Sequence, residues 1–256
     1  MIKRKTIYRI SLLVCTSGIL VCGGLFLQQW WEYRTGEKAY HALTETMTAV
    51  PLSVDSADLE DPEPFQEQTE SIPQVDFGAL QQLNPDVVGW LYAPDTVISY
   101  PVVQGSDNTY YLNHLFDGTQ NSAGCLFLDS GCQGMEGNNS VIYGHHMKNG
   151  TLFASLENYR DQKYYDAHPC MYLIMPEQTL TLVLFSAYVT GEEGEAWQLT
   201  FSSQEEYGMW QERIRERSCF ESEVIPQATE RVVTLSTCDY TFQGARFVCH
   251  GLVRED

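Results

Sequence analysis

The sequence predicts a mostly β protein, in which an eight-stranded barrel follows a transmembrane anchor helix. Three observations lead to this prediction. Eight short runs rich in β-branched and aromatic residues lie between positions 87 and 253. Their connections are short, which favours a closed or nearly closed barrel. Ahead of them, Ile10 to Leu27 form an 18-residue stretch without a charged side chain.

The first 34 residues are typical of a membrane anchor. Four basic residues precede the uncharged stretch, and Trp30, Trp31 and Tyr33 follow it. A bilayer core requires ~20 mainly apolar residues in a helix, so the stretch and its flanks are long enough to span it. Basic residues remain on the cytoplasmic side, and aromatic residues mark the far interface. We therefore expect residues 1–34 to be a cytoplasmic tip and a single-pass anchor, with the rest of the chain outside the cell.

A cleaved signal peptide is the alternative interpretation of this segment. Cys22-Gly23-Gly24 offers small residues, but no A-x-A site follows the apolar run. The match of Leu20 to Gly23 to a lipoprotein box is only partial. An uncleaved anchor is therefore the prediction.

Residues 35–74 are predicted to be a solvated spacer between the anchor and the domain. They carry nine acidic residues, one lysine and four prolines. A segment of this composition cannot bury a core of its own. Its beginning, Glu37 to Met47, has helical character and would extend the anchor helix or pack on the domain.

The folded domain is expected at residues 75–256. A short helix opens it, because Phe77, Leu80 and Leu83 share one face, and Asn84-Pro85 ends that helix. The eight predicted strands span 87–92, 97–103, 125–129, 140–143, 170–175, 179–189, 231–237 and 246–253.

Two further helices are predicted to interrupt the strands. The first spans Thr151–Tyr159 and has an apolar face. The second spans Ser203–Cys219, between the sixth and seventh strands, and we expect its aromatic face to pack on the barrel. Thr200 or Ser202 is the expected cap of this helix.

The distribution of charge limits the partners of the protein. The net charge is −19, and residues 35–256 carry 10 basic and 33 acidic residues. A body this acidic disfavours nucleic acid or an anionic membrane surface as the main partner. It is compatible with a cationic partner, such as an amine nucleophile or a lysine-bearing peptide, and equally with a merely solubilising surface.

The eight cysteines do not indicate a disulfide framework or a metal site. Cys125 and Cys132 flank a short strand-turn segment and could pair, which the sequence leaves open. No CxxC pair occurs, and the spacing of cysteine and histidine fits no zinc module. No acidic cluster near the barrel indicates a calcium site. We therefore expect no metal and no cofactor.

Three segments carry side chains suited to acyl transfer. The apolar run Val232–Thr237 ends at Cys238, as in a buried strand that delivers its last side chain to a sheet edge. Arg246 opens the next run across a short polar turn, so a hairpin would place a guanidinium near the thiol. Far upstream, the strand Val141–Tyr143 ends in Gly144-His145-His146. A thiol, an imidazole and a fixed positive charge are the groups that acyl transfer through a thioester requires.

These segments resemble the active-site signatures of sortases, the cysteine transpeptidases of the Gram-positive cell surface. TLSTC at 234–238 with the following Arg246, and YGHHM at 143–147, carry this similarity. The resemblance extends to class B sortases over residues 74–254, in the same order. The further matching segments are NPDVVGW at 84–90, ISYPVVQ at 98–104, DNTYYL at 107–112, FASL at 153–156 and YYDAHP at 164–169.

The resemblance implies the eight-stranded sortase barrel and assigns roles to three residues. Cys238 would be the nucleophile, and His145, directly after the glycine, would exchange a proton with the thiol and protonate the leaving amine. Arg246 would stabilise the oxyanion or hold the substrate carbonyl. His146 would be a packing or hydrogen-bonding neighbour. His250, which shares a strand face with Arg246, is the alternative base.

Four residues are predicted to bind the substrate. Asn108 and Leu112 match residues that line the class B groove. Ser236 lies two residues before Cys238 and faces the same side of its strand. Thr190, near the end of the sixth strand, aligns only loosely, because residues 191–196 look inserted.

The resemblance implies a transpeptidase that cleaves a C-terminal sorting motif of secreted proteins after a threonine. It would then transfer the protein to an amine of a peptidoglycan precursor. Three alternatives remain: a pilin polymerase that uses a pilin lysine as the amine, a cysteine peptidase that uses water, and a surface binding module with a relic site. The complete set of three residues disfavours the last.

Overall fold

The computed structural model describes residues 4–49 and 72–255. Its α-helices are α1 (Arg4–Met47), α2 (Phe77–Leu83), α3 (Gln162–Ala167) and α4 (Gln204–Glu216). Its strands are β1 (Thr48–Ala49), β2 (Gln74–Val75), β3 (Val87–Tyr92), β4 (Ser99–Val103), β5 (Leu126–Leu128), β6 (Asn139–Tyr143), β7 (Cys170–Ile174), β8 (Thr179–Gly191), β9 (Val232–Cys238) and β10 (Ala245–Glu255). Three 3₁₀ helices span Tyr110–Leu112, Phe153–Arg160 and Glu195–Trp197.

Strands β3 to β10 confirm the predicted eight-stranded closed barrel. Around the barrel their order is β10-β8-β7-β3-β4-β5-β6-β9. The strands form because their apolar side chains are buried on the faces of the sheet; Trp90, Leu91 and Leu126, for example, are fully buried. Two neighbouring pairs, β4 with β5 and β6 with β9, run parallel. The second of these pairs decides where the functional residues meet.

Helix α1 joins the apolar N-terminal stretch to the barrel without a break. Its apolar part is exposed, and α1 is long and apolar enough to cross a membrane by length and composition. The later part of α1 packs on the domain, where the buried Tyr40 donates a hydrogen bond from its hydroxyl to the Gly124 carbonyl oxygen (2.6 Å). The predicted spacer therefore begins with a helical segment that contacts the barrel. Its central part, residues 50–71, lies outside the described residues.

Helix α4 lies between β8 and β9, the sixth and seventh strands of the barrel, as predicted. Its cap is Ser203, so the expectation of Thr200 or Ser202 was wrong. The Ser203 hydroxyl accepts a hydrogen bond from the Glu206 backbone N–H (3.1 Å), and the Glu206 carboxylate accepts one from the Ser202 backbone N–H (2.7 Å). Serine followed three residues later by glutamate forms such reciprocal caps, which explains the starting point of the helix.

The aromatic face of α4 packs on the barrel, as expected. Tyr207, Trp210 and Ile214 are almost fully buried. They form a second apolar cluster with Phe185, Tyr188, Ala196, Val232, Val248 and Leu252. The Trp210 indole N–H also donates to the Glu195 carbonyl oxygen (2.9 Å), so α4 holds the segment that follows β8.

The predicted helix Thr151–Tyr159 is a 3₁₀ helix over Phe153–Arg160, and the short α3 follows it. Asp161 separates the two, because its side chain caps α3 by accepting a hydrogen bond from the Lys163 backbone N–H. The apolar face predicted for this segment is buried, Phe153 included.

The alternative base, His250, is a core residue. Its side chain is fully buried, and its Nδ1 lies 2.9 Å from the Thr234 hydroxyl oxygen. Burial, together with the charge of Arg217, lowers the pKa of His250 to about 3. A ring sealed in the core cannot exchange a proton with a thiol at the barrel edge.

We expect His250 to make the protein less stable in acid. A histidine in the unfolded chain takes up a proton below about pH 6.5, whereas folded His250 remains neutral down to about pH 3. Between these values the unfolded state binds more protons, so the free energy of unfolding falls as the pH is lowered. His250→Asn, which keeps a polar atom near the position of Nδ1, should give a shallower fall in urea unfolding between about pH 4 and 7. Equal slopes of unfolding free energy against pH in the natural protein and in His250→Asn would contradict this.

Candidate active site

Cys238 is the last residue of β9, and its side chain is half-buried at the edge of the barrel. The preceding residues of β9 are buried, as their apolar and β-branched side chains predict. The strand therefore presents its terminal thiol where the barrel opens to solvent. Cys249 and Cys125, by contrast, are sealed in the core, and burial raises the pKa of the Cys125 thiol to about 12.

The parallel pairing of β6 with β9 brings His145 beside Cys238. Asn139 pairs with Val232 and Tyr143 with Ser236, a constant offset of 93 positions. The pairing ends at Tyr143 and Ser236, and just beyond it the Gly144 backbone N–H donates to the Ser236 carbonyl oxygen (3.1 Å). His145 follows directly, and His145 and Cys238 line the same cleft at this edge of the barrel.

The glycine before His145 and one contact of the ring determine where the imidazole lies. Gly144 allows the chain to pass close to the core, because a Cβ at this position would lie 2.4 Å from Leu126 Cδ2 and 2.6 Å from Phe153 Cδ2. His145 Nε2 lies 2.6 Å from the Leu112 carbonyl oxygen. A carbonyl oxygen only accepts, so Nε2 carries a proton, and in the neutral ring the free lone pair is at Nδ1.

Arg246 is the direct partner of Cys238 across the antiparallel pair of β9 and β10. The two segments are joined by the turn that the sequence predicted. Arg246 donates from Nη1 to the Ala245 carbonyl oxygen (3.1 Å) and from Nη2 to Glu192 Oε1 (2.7 Å). Glu192 directly follows β8, in the segment that looked inserted. Its carboxylate orients the guanidinium, a contact that the sequence did not indicate.

The three side chains line one cleft of ≈ 230 Å³ at the barrel edge. Its walls contain six of the seven predicted site residues. The lining residues are Asn108, Leu112, Phe127, Tyr143, Gly144, His145, Ser236, Thr237, Cys238 and Arg246. An open, acidic recess bordered by Glu192, Glu193 and Glu195 adjoins the cleft and shares Arg246 and Tyr143 with it.

The predicted substrate-binding residues differ in their surroundings. Asn108 donates to Asp129 Oδ2 (2.9 Å), and its amide oxygen accepts from the Ser130 backbone N–H (2.8 Å), so its orientation is fixed. Ser236 is buried beneath the cleft, and its hydroxyl oxygen accepts a hydrogen bond from the Trp197 indole N–H (3.1 Å). Substrate contact by these residues stays a prediction.

Thr190 lies apart from the other predicted residues. It pairs with Arg246 across β8 and β10, but its side chain is buried, and its hydroxyl oxygen accepts a hydrogen bond from Arg217 Nη2 (3.2 Å). Gly194 packs against it, since a Cβ there would lie 2.4 Å from the Thr190 hydroxyl oxygen. Thr190 does not line the cleft described above.

Tyr143 is a cleft residue to which the sequence assigned no role. Its hydroxyl donates to Asp129 Oδ2 (2.9 Å), the same oxygen that Asn108 contacts. Burial, and then the charge of Asp129, raises the pKa of Tyr143. The position of Tyr143, two residues before His145 on a strand, was the available signal, because alternate residues of a strand share a face.

Asp239, the residue after Cys238, is also held in position by its contacts. Asp239 is almost fully buried and forms an ion pair with Arg160, whose guanidinium lies 5.0 Å from the centre of the Phe247 ring. Burial acts to raise the pKa of Asp239, but hydrogen bonds from Thr241 and the charge of Arg160 outweigh it, and the pKa is lowered. The backbone next to Cys238 is therefore held by a charged pair.

His146 contacts the same backbone from the other side. Its Nδ1 lies 3.2 Å from the Cys238 carbonyl oxygen, its Nε2 lies 3.9 Å from Glu157 Oε2, and its ring meets Tyr240 edge to face at 5.2 Å. The carbonyl oxygen accepts, so Nδ1 donates. His146 is therefore the hydrogen-bonding neighbour that the sequence predicted.

We expect His146→Ala to loosen the end of β9, and His146→Asn, which retains a donor near Nδ1, to do so less. Loss of one hydrogen bond of this kind lowers the free energy of unfolding by about 1 kcal/mol, which is ~5-fold in the unfolding equilibrium constant. Urea unfolding and the alkylation rate of Cys238, read by peptide mass spectrometry, measure the two effects. Equal behaviour of the two variants would show that the hydrogen bond contributes nothing.

All eight cysteines are free thiols. The pairing of Cys125 with Cys132, which the sequence left open, is therefore not formed. Among residues 4–49 and 72–255, no group of three or more histidine, cysteine, aspartate or glutamate side chains has the arrangement of a metal site.

Known proteins of similar sequence show the family of this chain. The family model of the sortase domain matches residues 91–253. The chain is 33% identical to Sortase B of Listeria monocytogenes over 175 residues, which are 67% of this chain and 71% of that protein. It is 32% identical to Sortase B of Staphylococcus aureus over 164 residues, 64% of this chain and 67% of that one.

Solved structures show the same similarity. A structure of sortase B from B. anthracis in complex with AAEK1 superposes with a TM-score of 0.72 at 31% identity, covering 89% of this chain and 100% of that chain. A Staphylococcus aureus sortase B–substrate complex superposes with a TM-score of 0.67 at 29% identity, covering 70% and 84%. The fold and the matched family define a transpeptidase. The chain belongs to the sortase family, and these relatives are class B sortases.

Proposed function

We propose that this chain is a membrane-anchored class B sortase that joins secreted proteins to a cell-wall amine. The observation that supports the proposal is that His145, Cys238 and Arg246 line one cleft, at the edge of the barrel where the neighbouring strands β6 and β9 end and β10 begins. A Sortase B–substrate complex among the related structures supports a peptide substrate.

In the proposed reaction, the Cys238 thiolate attacks the carbonyl carbon of a threonine within the sorting motif. Arg246 stabilises the negative charge that develops on the carbonyl oxygen. His145 takes up the thiol proton and delivers it to the departing amine, which leaves a thioester on Cys238. An incoming amine then attacks the thioester, its proton passes to His145, and the thiol is released.

The acceptor is proposed to be an amine of a peptidoglycan precursor. The acidic side chains of the recess beside Arg246 favour a cationic group in front of the thioester. Helix α1 supports the proposed localisation, a single-pass membrane protein with its catalytic domain outside the cell.

The test uses the full-length protein in lipid nanodiscs, incubated with LPxTG-like and NPxTN-like peptides. Mass spectrometry should detect a peptide fragment on Cys238, released faster when an amine is added than by water alone. Amines from a wall peptide and from a lysine-bearing pilin peptide are compared in parallel. Preference for the lysine peptide would favour a pilin polymerase. If no amine increases release above hydrolysis, the protein is a peptidase.

A further inference from the structure

The first contacts of α1 with the barrel lie only a short distance beyond its apolar stretch. That stretch ends at Leu27, and α1 remains helical through Met47. At Glu32 the backbone oxygen accepts a hydrogen bond from Asn121 Nδ2 (3.0 Å), and the carboxylate accepts one from the Ser122 hydroxyl (2.8 Å). The anchor helix is therefore attached to the domain on the first turn or two outside the membrane.

The geometry of a helix converts this spacing into a height. Each residue of an α-helix advances by ~1.5 Å, so Glu32 lies ~7.5 Å beyond Leu27 along the axis. The headgroup layer on one side of a bilayer is ~5–7 Å thick. The barrel surface beside Glu32 and Tyr33 therefore lies at the outer edge of the headgroups. Gly36 brings the helix close to the barrel here, since an added Cβ would lie 3.1 Å from the Ala123 Cβ.

The surface at this level is the end of the barrel that holds the cleft. Residues 121–124, which α1 contacts, lead into Cys125, whose backbone N–H donates to the Tyr111 carbonyl oxygen beside the cleft residue Leu112 (2.9 Å). On the other side, Tyr33 lines a cavity together with Met147, and Tyr240 packs edge to face on the neighbouring His146, with ring centres 5.2 Å apart. Tyr240 is two residues beyond Cys238.

Large aromatic side chains are exposed around this level. Trp31 is 66% exposed at the start of the extramembrane part of α1, and Tyr240 and Phe242 are 68% and 50% exposed in the turn between β9 and β10. Aromatic side chains are enriched at membrane interfaces, where the ring meets apolar chains and its polar edge meets water. Trp30 and Trp31 are the anchor's interfacial pair, and the turn continues this aromatic surface onto the catalytic domain.

We propose that the β9–β10 turn, residues 239–244, rests on the lipid headgroup layer, so that the cleft of Cys238 opens along the membrane surface. This rests on the anchoring role of α1 in the proposed function. The cleft would then receive a peptide whose downstream end is held in the same membrane. The lipid contact is made by aromatic rings, and the acidic body keeps it weaker on anionic than on zwitterionic lipids.

The test is a depth measurement on the full-length protein in zwitterionic nanodiscs. An environment-sensitive fluorescent amino acid replaces Tyr240, or Phe242 as a second site, and quenching by brominated lipids is compared with that by unbrominated ones. Ile225, which is 62% exposed in the connection between α4 and β9, is the matched exposed control. Trp31 is the reference for the interface. The probe is placed at each of these positions in turn. We expect brominated lipids to quench its fluorescence at 240 and 242 as they do at 31, and not at 225.

A lengthened anchor provides the second arm. Seven helix-forming residues inserted after Gln28 raise the domain by ~10 Å and return it to nearly the same azimuth. Quenching at 240 should then be lost, because the insertion lifts the turn clear of the headgroup layer. Quenching at 31 without quenching at 240 in the natural chain would overturn the proposal and leave the anchor intact. Absence of quenching at 31 would overturn both.

Discussion

Replacement of Cys238 by alanine is expected to abolish both peptide cleavage and the thioacyl intermediate. We expect kcat/KM to fall by ~10⁴-fold or more, as when the nucleophile of a covalent mechanism is removed. Ser236 cannot substitute for the thiol, because it is buried and its hydroxyl is engaged by Trp197. Initial rates with a sorting peptide and intact-protein mass spectrometry measure the two effects.

Cys219→Ala is the matched control for this variant. Cys219 is a free, exposed thiol, and it does not line the cleft. Its removal should leave the thioacyl intermediate and the rate unchanged. A Cys238→Ala protein that still carried the peptide on a cysteine would show that another thiol is the nucleophile.

Arg246→Lys is expected to lower kcat by ~10²-fold, the range found when one donor to an oxyanion is removed. The lysine keeps the charge but loses the planar fork that allows Arg246 to contact Glu192 and a substrate oxygen at the same time. Arg246→Ala should lose more. In both variants KM should change less than kcat, because the charge on the oxygen develops in the transition state.

Glu192→Gln separates the role of Arg246 from that of its ion pair. Glu192 is 60% exposed and Arg246 29%, and an exposed ion pair contributes ~1 kcal/mol or less, so the loss in kcat should be no more than ~5-fold. A loss in Glu192→Gln as large as in Arg246→Lys would show that orientation by the carboxylate, and not the guanidinium fork, limits the rate.

Much of the site could be predicted because the sequence carries local signals for it. The run that ends at Cys238 has the composition of a strand, and the polar turn before Arg246 predicted the hairpin that pairs them. Contacts that cross from one segment to another left no such signal. Glu192 on Arg246 and Trp197 on Ser236 both come from the segment after β8, whose path is set by α4 packing over it.

Thr190 and His250 show that the sequence did not reveal which strand faces are covered. The hydroxyl of Thr190, which was assigned by a loose alignment, accepts a hydrogen bond from Arg217. The His250 ring, which was assigned by the two-residue alternation of a strand, is fully buried beside Trp210 of α4. Which face of a strand is covered depends on the helix that packs there. Neither the spacing nor the residue type of Thr190 or His250 contains that information.

Local patterns were sufficient to predict the apolar N-terminal helix, the strands of the barrel and the chemical groups of the site, because each depends on side chains that are neighbours in the chain. The parallel pairing of β6 with β9, at an offset of 93 residues, was visible only in the folded molecule. The same is true of the contact that α1 makes with the end of the barrel that carries the cleft. Burial of apolar surface across the whole barrel fixes strand register and helix docking, and no local stretch specifies them.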